Sequence, residues 1–370
     1  LRALSTPLLG HLDPAFLALM DDIQTLLRAV FQTKNRFTIA ISGTGSAGME
    51  ASIVNIVEPG DTVVVGVNGL FGTRLAAIVE RCGGKTIPIE APWGQAIEPD
   101  ALEAALRRSG PVKAVAIVHA ETSTGVWQPL EAISRLCRDH DTLFVVDAVT
   151  SLGGAPVEVD RLGIDVCYSA TQKCLSCPPG LSPFTLSDRA LAAIRARRLP
   201  CQSWYLDMAL IANYWTEGSR AYHHTAPISM LYALREALRL VEEEGLPARF
   251  ARHRRNGEAL IAGLVELGLL PLPPVGHQLP MLTCVTVPPH IPEDKIRTDL
   301  RSIYGIEIGG GLGPLKGKVW RIGLMGESST EAHVLTLLNA LEDLFIRGGW
   351  LSTPGIALRA AARIYGRTAS

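Results

Sequence analysis

The sequence predicts an α/β protein built on a mainly parallel central sheet. Three observations predict it. Short apolar runs recur through the first half of the chain, most of them apolar throughout rather than alternating. That is the pattern of strands buried on both faces. Segments at helical spacing separate the runs, so the crossovers are helical and successive strands run parallel. After Thr225 the pattern changes to two long helices and a shorter strand–helix series, which marks a second, smaller α/β domain.

In chain order, strands are expected over residues 37–41, 62–67, 85–89, 114–119, 143–147, 165–169 and 182–186. Helices are expected between them over 48–57, 71–81, 99–108 and 129–139. Residues 227–244 and 246–267 each read as one long helix. The Pro-rich segment 271–280 introduces strands at 281–287 and 304–308, with helices over 292–303 and 330–346. The expected organisation is a large domain over 1–244, a small C-terminal domain over 245–348 and a tail over 349–370. The tail carries Arg359, Arg363 and Arg367 on a weakly amphipathic segment, expected to be a solvated or frayed helix. Ligands of open parallel sheets bind outside the carboxyl ends of the strands, so the residues closing those strands are the candidates for chemistry.

The 370 residues are 47% apolar with a formal net charge of −1. This describes a globular protein without a polybasic face for nucleic acid. Apolar stretches such as 62–67 are too short to span a bilayer. The N-terminus shows no charged region followed by an apolar one. No membrane segment and a cytoplasmic location are therefore expected. Seven cysteines, an odd number scattered through strand-like and helix-like runs, fit a reducing compartment. Cys174 and Cys177 form a lone C-x-x-C. One such pair cannot complete a tetrahedral zinc site, so no metal is expected and the pair reads as packing.

Lys173 lies in Ser-Ala-Thr-Gln-Lys-Cys-Leu-Ser (169–176), just after the apolar run 164–168, and Asp147 closes the run Leu-Phe-Val-Val-Asp. A lysine at the end of a core strand is costly unless something reacts or pairs with it. One chemistry uses the lysine and the upstream carboxylate together. The lysine forms a Schiff base with pyridoxal phosphate, and the aspartate keeps the pyridinium nitrogen protonated.

Ser42-Gly-Thr-Gly-Ser-Ala-Gly48 follows a strand and opens a helix, where glycines and helix N-terminal amides can cradle a phosphate. The same glycines match the dinucleotide pattern G-x-G-x-x-G. That reading needs an acidic residue closing the next strand, where this chain has Asn68. Thr122, in Glu-Thr-Ser-Thr-Gly (121–125), is the candidate hydroxyl for the cofactor's phenolic oxygen or phosphate. Phe71, at a helix start, is placed either to stack on the pyridine ring or to fill the core. Arg321, in Val-Trp-Arg-Ile-Gly (319–323), lies amid apolar residues. Its planar fork suits a substrate carboxylate, an internal salt bridge being the alternative. Tyr-His-His-Thr (222–225) is a dense polar cluster before the domain change, and two adjacent histidines on an irregular segment make a poor metal site.

Together these residues resemble the class V aminotransferases among the fold-type I pyridoxal phosphate enzymes, and within them the alanine–glyoxylate and serine–pyruvate aminotransferases. The resemblance runs from about Gly10 to about Gly326. It is carried by Phe-Gln-Thr-Lys-Asn (31–35), Ser-Gly-Thr-Gly (42–45), Glu-Pro-Gly-Asp (58–61) and Ser-Thr-Gly-Val (123–126). Ser-Leu-Gly-Gly (151–154), Gln-Lys (172–173), Tyr-His-His-Thr (222–225) and Gly-Gly-Leu-Gly-Pro (310–314) extend it in the family's order. It implies a large domain with a mainly parallel seven-stranded sheet between helices, plus a smaller C-terminal α/β domain. It implies Lys173 as Schiff-base lysine and proton shuttle, Asp147 on the pyridinium nitrogen, and phosphate contacts from Thr44, Gly45, Ser46 and Gln172. By the same resemblance Tyr222 and Thr225 reach the phosphate of a neighbouring subunit in an obligatory homodimer, and Arg321 clamps the substrate carboxylate. Phe71 stands where the animal enzymes resemble one another in carrying tryptophan, which preserves stacking.

The implied reaction is ping-pong transamination from alanine or serine to glyoxylate or pyruvate. Small neutral donors are favoured because no second arginine motif offers to hold a side-chain carboxylate. Ureidoglycine–glyoxylate transamination is the rival: Gly-His-Leu-Asp-Pro (10–14), Ala-Pro-Trp-Gly (91–94) and Gln-Lys-Cys-Leu (172–175) are similar to stretches of those enzymes. They resemble one another in holding the ureido group with amides, where this chain has His11 and Tyr222. Cysteine desulfuration needs a mobile cysteine, whereas Cys284 sits in the apolar run Leu-Thr-Cys-Val-Thr-Val. A non-enzymatic regulator would have lost catalytic groups that are present here.

Overall fold

The structure, a computed structural model, describes residues 1–215 and 220–366. Strands β1 (Phe37–Ser42), β2 (Thr62–Val67), β3 (Lys85–Glu90) and β4 (Ala114–Val118) precede a small antiparallel pair, β5 (Ala120–Glu121) and β6 (Val126–Trp127). Then follow β7 (Leu143–Asp147), β8 (Val166–Tyr168) and β9 (Leu181–Leu186). Seven of these form one sheet in the order β1-β9-β8-β7-β4-β2-β3. Only β9 runs against its neighbours, pairing antiparallel with β1 and β8. The central strands β4 and β7 are buried along their whole length, as unbroken apolar runs require of a sheet covered on both faces.

Register decides where the site lies. Asp147 pairs with Val118 on one side and Tyr168 on the other, so the carboxyl ends of three central strands finish level. The helix Gly45–Val54 begins three residues before the expected start, directly at the glycine turn. A side chain at Gly45 would come within 2.8 Å of the Ala170 Cβ, and one at Gly48 would overlap Ser182. Glycine at both places lets the helix press against the strands and aim its N-terminus at the sheet edge.

A second sheet is antiparallel, in the order β10 (Leu282–Thr286), β12 (Val319–Gly323), β11 (Gly309–Gly310). The strand expected over 304–308 does not form. The helix Glu293–Tyr304 runs through its start and ends at Gly305 in the left-handed region, φ +65°, leaving Gly309 and Gly310 to pair with β12. One apolar cluster, from Phe16 to Val241, surrounds the large sheet, and a second, from Ala259 to Ala361, surrounds the small one.

The tail also differs from expectation. The helix Ile356–Gly366 buries Ala357, Ala360 and Ala361, the first and last of them in the second core, beside the helices Leu246–Glu266 and Glu331–Arg347. Alanines on one face allow close helix approach, so a weakly amphipathic segment packs rather than frays. Arg367 lies outside the described residues. Among the described residues no helix is long and apolar enough to cross a membrane.

Candidate active site

Asp147 ends β7 with its side chain buried, 3% exposed. Its Oδ1 accepts from the Val149 N–H at 2.8 Å and its Oδ2 from the Tyr168 hydroxyl at 2.8 Å. Burial pushes its carboxyl up to about 7, against the pull of those two donors. A carboxylate held by neutral donors alone is an unbalanced buried charge, and a cation delivered beside it would draw its pKa back down.

Lys173 lies on the loop between β8 and β9, and the Ser176 N–H bonds back to its carbonyl at 3.0 Å. Its ammonium has no hydrogen-bond or ion-pair partner among the described residues. Burial lowers its pKa, and the Arg321 charge lowers it further, both of which favour the nucleophilic amine form. Asp147, Lys173, Thr44, Gly45, Ser46, Phe71, Thr122 and Gln172 line one cavity of about 200 Å³. Eight of the expected site residues therefore meet in one place.

Its walls have identifiable causes. Thr44 precedes the helix in extended conformation and the amides of Gly45 and Ser46 start it, which suits a phosphate. The Thr122 hydroxyl pairs with that of Thr150 at 3.3 Å. Phe71 rides on the first turn of the helix Leu70–Arg81. That turn is pinned by buried Glu121, whose Oε2 accepts the Phe71 N–H at 3.1 Å and whose Oε1 accepts the Ser123 hydroxyl at 2.6 Å. Burial raises the Glu121 pKa, opposed by the Ser123 and helix-amide bonds.

Arg321 does not line that cavity. It stands in β12, donating from Nε to the Gly310 carbonyl at 2.8 Å and from Nη1 to the Thr122 carbonyl at 3.3 Å. Among the described residues it has no carboxylate partner, which removes the internal salt bridge as its explanation. Tyr222 and Thr225 are not brought into the cavity either. Tyr222 is 59% exposed, bonds to the Thr225 hydroxyl at 3.2 Å and leans on the His11 ring at 5.3 Å.

Sequence reasoning missed Tyr168, Glu121 and Arg74. Tyr168 was legible only as the end of an apolar run. Glu121 stood in the quoted hydroxyl motif, but its helix-pinning role depends on a contact fifty positions away in sequence. Arg74 lines the cavity and places its guanidinium 5.1 Å from the Phe71 ring centre. Asn68, where a dinucleotide site needs an acid, is buried and bonds to the Gln95 carbonyl at 2.9 Å. Cys284 is buried in β10 with its thiol pushed up to about 12 by burial, the opposite of a reactive thiolate.

The residues present fit pyridoxal phosphate: a buried carboxyl awaiting a cation, an unpartnered lysine and a helix N-terminus open to an anion. The aminotransferase class-V family profile matches residues 8–314. The chain belongs to the class V aminotransferases. It is similar to the (S)-ureidoglycine–glyoxylate transaminase of Bacillus subtilis, 42% identical over 99% of this chain and 92% of that one. The crystal structure of that Bacillus enzyme superposes with a TM-score of 0.96, covering 99% of this chain and 94% of that one. An alanine–glyoxylate aminotransferase structure from Nostoc sp. is 49% identical with a TM-score of 0.91, covering 93% and 91%. The alanine–glyoxylate aminotransferase of Oryctolagus cuniculus is 41% identical over 91% of this chain and 86% of its own. This class V aminotransferase is accordingly a pyridoxal-phosphate-dependent transaminase with an α/β fold.

Proposed function

We propose that the enzyme transfers an amino group from a small neutral amino acid, alanine or serine, to glyoxylate. The observation that carries this reading is Arg321: a half-buried guanidinium with no carboxylate of its own, close enough for its charge to act on Lys173. Such a group is poised to take an α-carboxylate in bidentate fashion. The names of the Nostoc and Oryctolagus relatives support glyoxylate as acceptor.

The roles follow from chemistry at named atoms. Thr44, Gly45, Ser46 and Gln172 would hold the phosphate, Phe71 would cover one ring face, and the Asp147 carboxylate would hold the proton on the ring nitrogen. The bound cofactor supplies the electron sink for the bond broken at the substrate Cα. Arg321 would fix the substrate carboxylate and so orient the Cα–H bond for cleavage. The Lys173 Nζ, its pKa lowered by burial and by the Arg321 charge, would be the group that takes the proton from Cα and carries it across the site.

We also place Tyr222 and Thr225 at the phosphate of a second copy, making the active unit a homodimer. Their exposure outside their own chain's cavity supports this. Seven free cysteines support a reducing cytosol as its compartment. The two apolar clusters support a large domain over 1–244 and a small one over 245–348. On that division the packed helix Ile356–Gly366 joins the small one.

Ureidoglycine as donor is the second reading, favoured by the near-complete coverage and the TM-score of 0.96 to the Bacillus enzyme. Against it, the resemblance implies amide side chains for the ureido group at the positions where this chain has His11 and Tyr222. Steady-state rates with alanine, serine and ureidoglycine against glyoxylate decide. The proposal expects kcat/KM to be higher for alanine or serine; a clear preference for ureidoglycine replaces it.

A further inference from the structure

The loop that carries Lys173 has no regular structure of its own, and Ser176 within it adopts a left-handed φ of +57°, a conformation that needs outside support. The Ser176 hydroxyl accepts the Glu327 N–H at 2.8 Å, and the loop is tied further by the helix Leu246–Glu266. Arg249 is 1% exposed, and its guanidinium makes three bonds. Its Nη2 donates to the carbonyl of Cys174, the residue after Lys173, at 2.6 Å. Its Nε donates to the carbonyl of Gly153, in the turn that follows Asp147, at 3.0 Å. Its Nη1 meets Glu244 Oε2 at 2.6 Å. One buried side chain thus ties together the backbone segments behind the two central groups of the site.

The same carboxylate holds a second guanidinium. Arg252 Nε meets Glu244 Oε1 at 2.5 Å, while its Nη1 donates to the carbonyls of Gly326 at 2.9 Å and Ser329 at 2.7 Å. Those carbonyls belong to the loop that leaves β12, the strand of Arg321. Buried His253 reinforces the join: its Nδ1–H donates to the Arg249 carbonyl at 2.8 Å, and its Nε2 accepts the Gly326 N–H at 2.9 Å. A side chain at Gly326 would overlap Ser176 and lie 2.8 Å from the Cys174 carbonyl, so the two loops touch. Arg252 and Arg249 hold Glu244 ionised, pulling its pKa below the ordinary carboxylate range against its partial burial.

We propose that Glu244, Arg249 and Arg252 are positioning residues, in which one carboxylate orients two guanidiniums that set the Lys173 loop and the Arg321-side loop in register. Arg249 governs the placement of the Lys173 amine, and Arg252 governs the substrate side. The proposal rests on the reading of Lys173 as the group that reacts with the cofactor.

The test compares wild type, Arg249→Lys, Glu244→Gln and Arg252→Met. A lysine at 249 offers one compact ammonium in place of a fork and cannot span Glu244 and two carbonyls. In cofactor-free protein, amide exchange at Ser176 and Cys177 is expected to rise about tenfold in Arg249→Lys. With pyridoxal phosphate added, the pH midpoint of the visible band is expected to move by about half a unit or more. At the same time kcat per loaded site should fall about tenfold, with little change in KM for alanine. Arg252→Met should do the reverse, raising KM several-fold and leaving the midpoint in place. Glu244→Gln should show both effects more weakly, and it decides the matter if Arg249→Lys does not fold. A role in stability alone lowers Tm in these variants but leaves midpoint, kcat and KM at wild-type values, and that result overturns the proposal. Absence of a visible band in wild type would sink the reading of Lys173 instead, and unchanged exchange at Ser176 and Cys177 would still sink the clamp.

Discussion

Asp147 and Arg321 are the two charged groups that flank Lys173, and they are held in opposite ways. Asp147 closes a strand in the middle of a seven-stranded sheet and receives two short hydrogen bonds inside a dry core. Arg321 sits in the middle of a three-stranded sheet within a separate apolar cluster, tethered by two backbone carbonyls and half-buried. The first arrangement is rigid and desolvated, suited to fixing a proton on a ring nitrogen. The second leaves a guanidinium with donors to spare, suited to binding and releasing a carboxylate in every cycle. On the proposed roles, chemistry is built into the larger core and recognition into the smaller one.

Substitutions on either side sharpen or break that contrast. The largest effect is expected for Lys173→Ala, which should lower turnover by about 10⁴-fold or more. It should do so without a comparable loss of folding stability, as read by stopped assays and thermal unfolding. A residual rate within about tenfold of wild type would separate Lys173 from the reaction. Arg321→Ala should lose the charge-assisted pair with the carboxylate, about 2–5 kcal/mol, seen mainly as a raised KM. Wild-type kcat/KM for alanine in that variant would remove Arg321 from recognition.

Much of this was legible in the sequence, because the strand ends that carry chemistry are the ends of unbroken apolar runs. The strands 62–67 and 143–147 form over the very residues expected, and Asp147 follows from the second of them. The expected lining residues from Thr44 to Lys173 meet because the strand ends are level. The rest depends on contacts distant in sequence. Glu121 pins a helix turn, Tyr168 bonds to a carboxyl on the neighbouring strand, and Gly309–Gly310 is too short a strand to show any period. The tail helix looked solvated because its buried face is three alanines, which carry little hydrophobic signal yet pack closely.

The dry side of the comparison has a pH signature. In cofactor-free protein the Asp147 carboxyl sits near 7 instead of its ordinary 3.8. Between about pH 4 and pH 7 the native state therefore keeps a proton that the unfolded chain has lost, and stability falls as pH rises through that window. Asp147→Asn lacks this slope, so its stability relative to wild type should grow across the window, by up to about 4 kcal/mol. Buried His119 and His253 and half-buried His224, each held at about 4 by desolvation, act oppositely. Their contribution is present above the ordinary histidine value and lost as pH falls through 4. Only the difference between variant and wild type isolates Asp147. Urea unfolding at stepped pH measures it, and a flat difference would mean that the carboxyl is not desolvated as described.

The smallest effect is expected for Tyr168→Phe, which removes one of the two donors to Asp147 while keeping the ring in place. Losing that bond should weaken cofactor binding by about 1 kcal/mol, read by equilibrium titration of cofactor-free protein. A loss as large as that of Arg321→Ala on its substrate would place the tyrosine among the primary cofactor contacts.

The central claim, that Lys173 and Asp147 hold pyridoxal phosphate for transamination, is tested most directly by the visible absorption spectrum of the purified protein during titration. The account predicts a yellow band that alanine or serine bleaches and glyoxylate restores, absent from Lys173→Ala. A protein that shows no such band after addition of pyridoxal phosphate would contradict it.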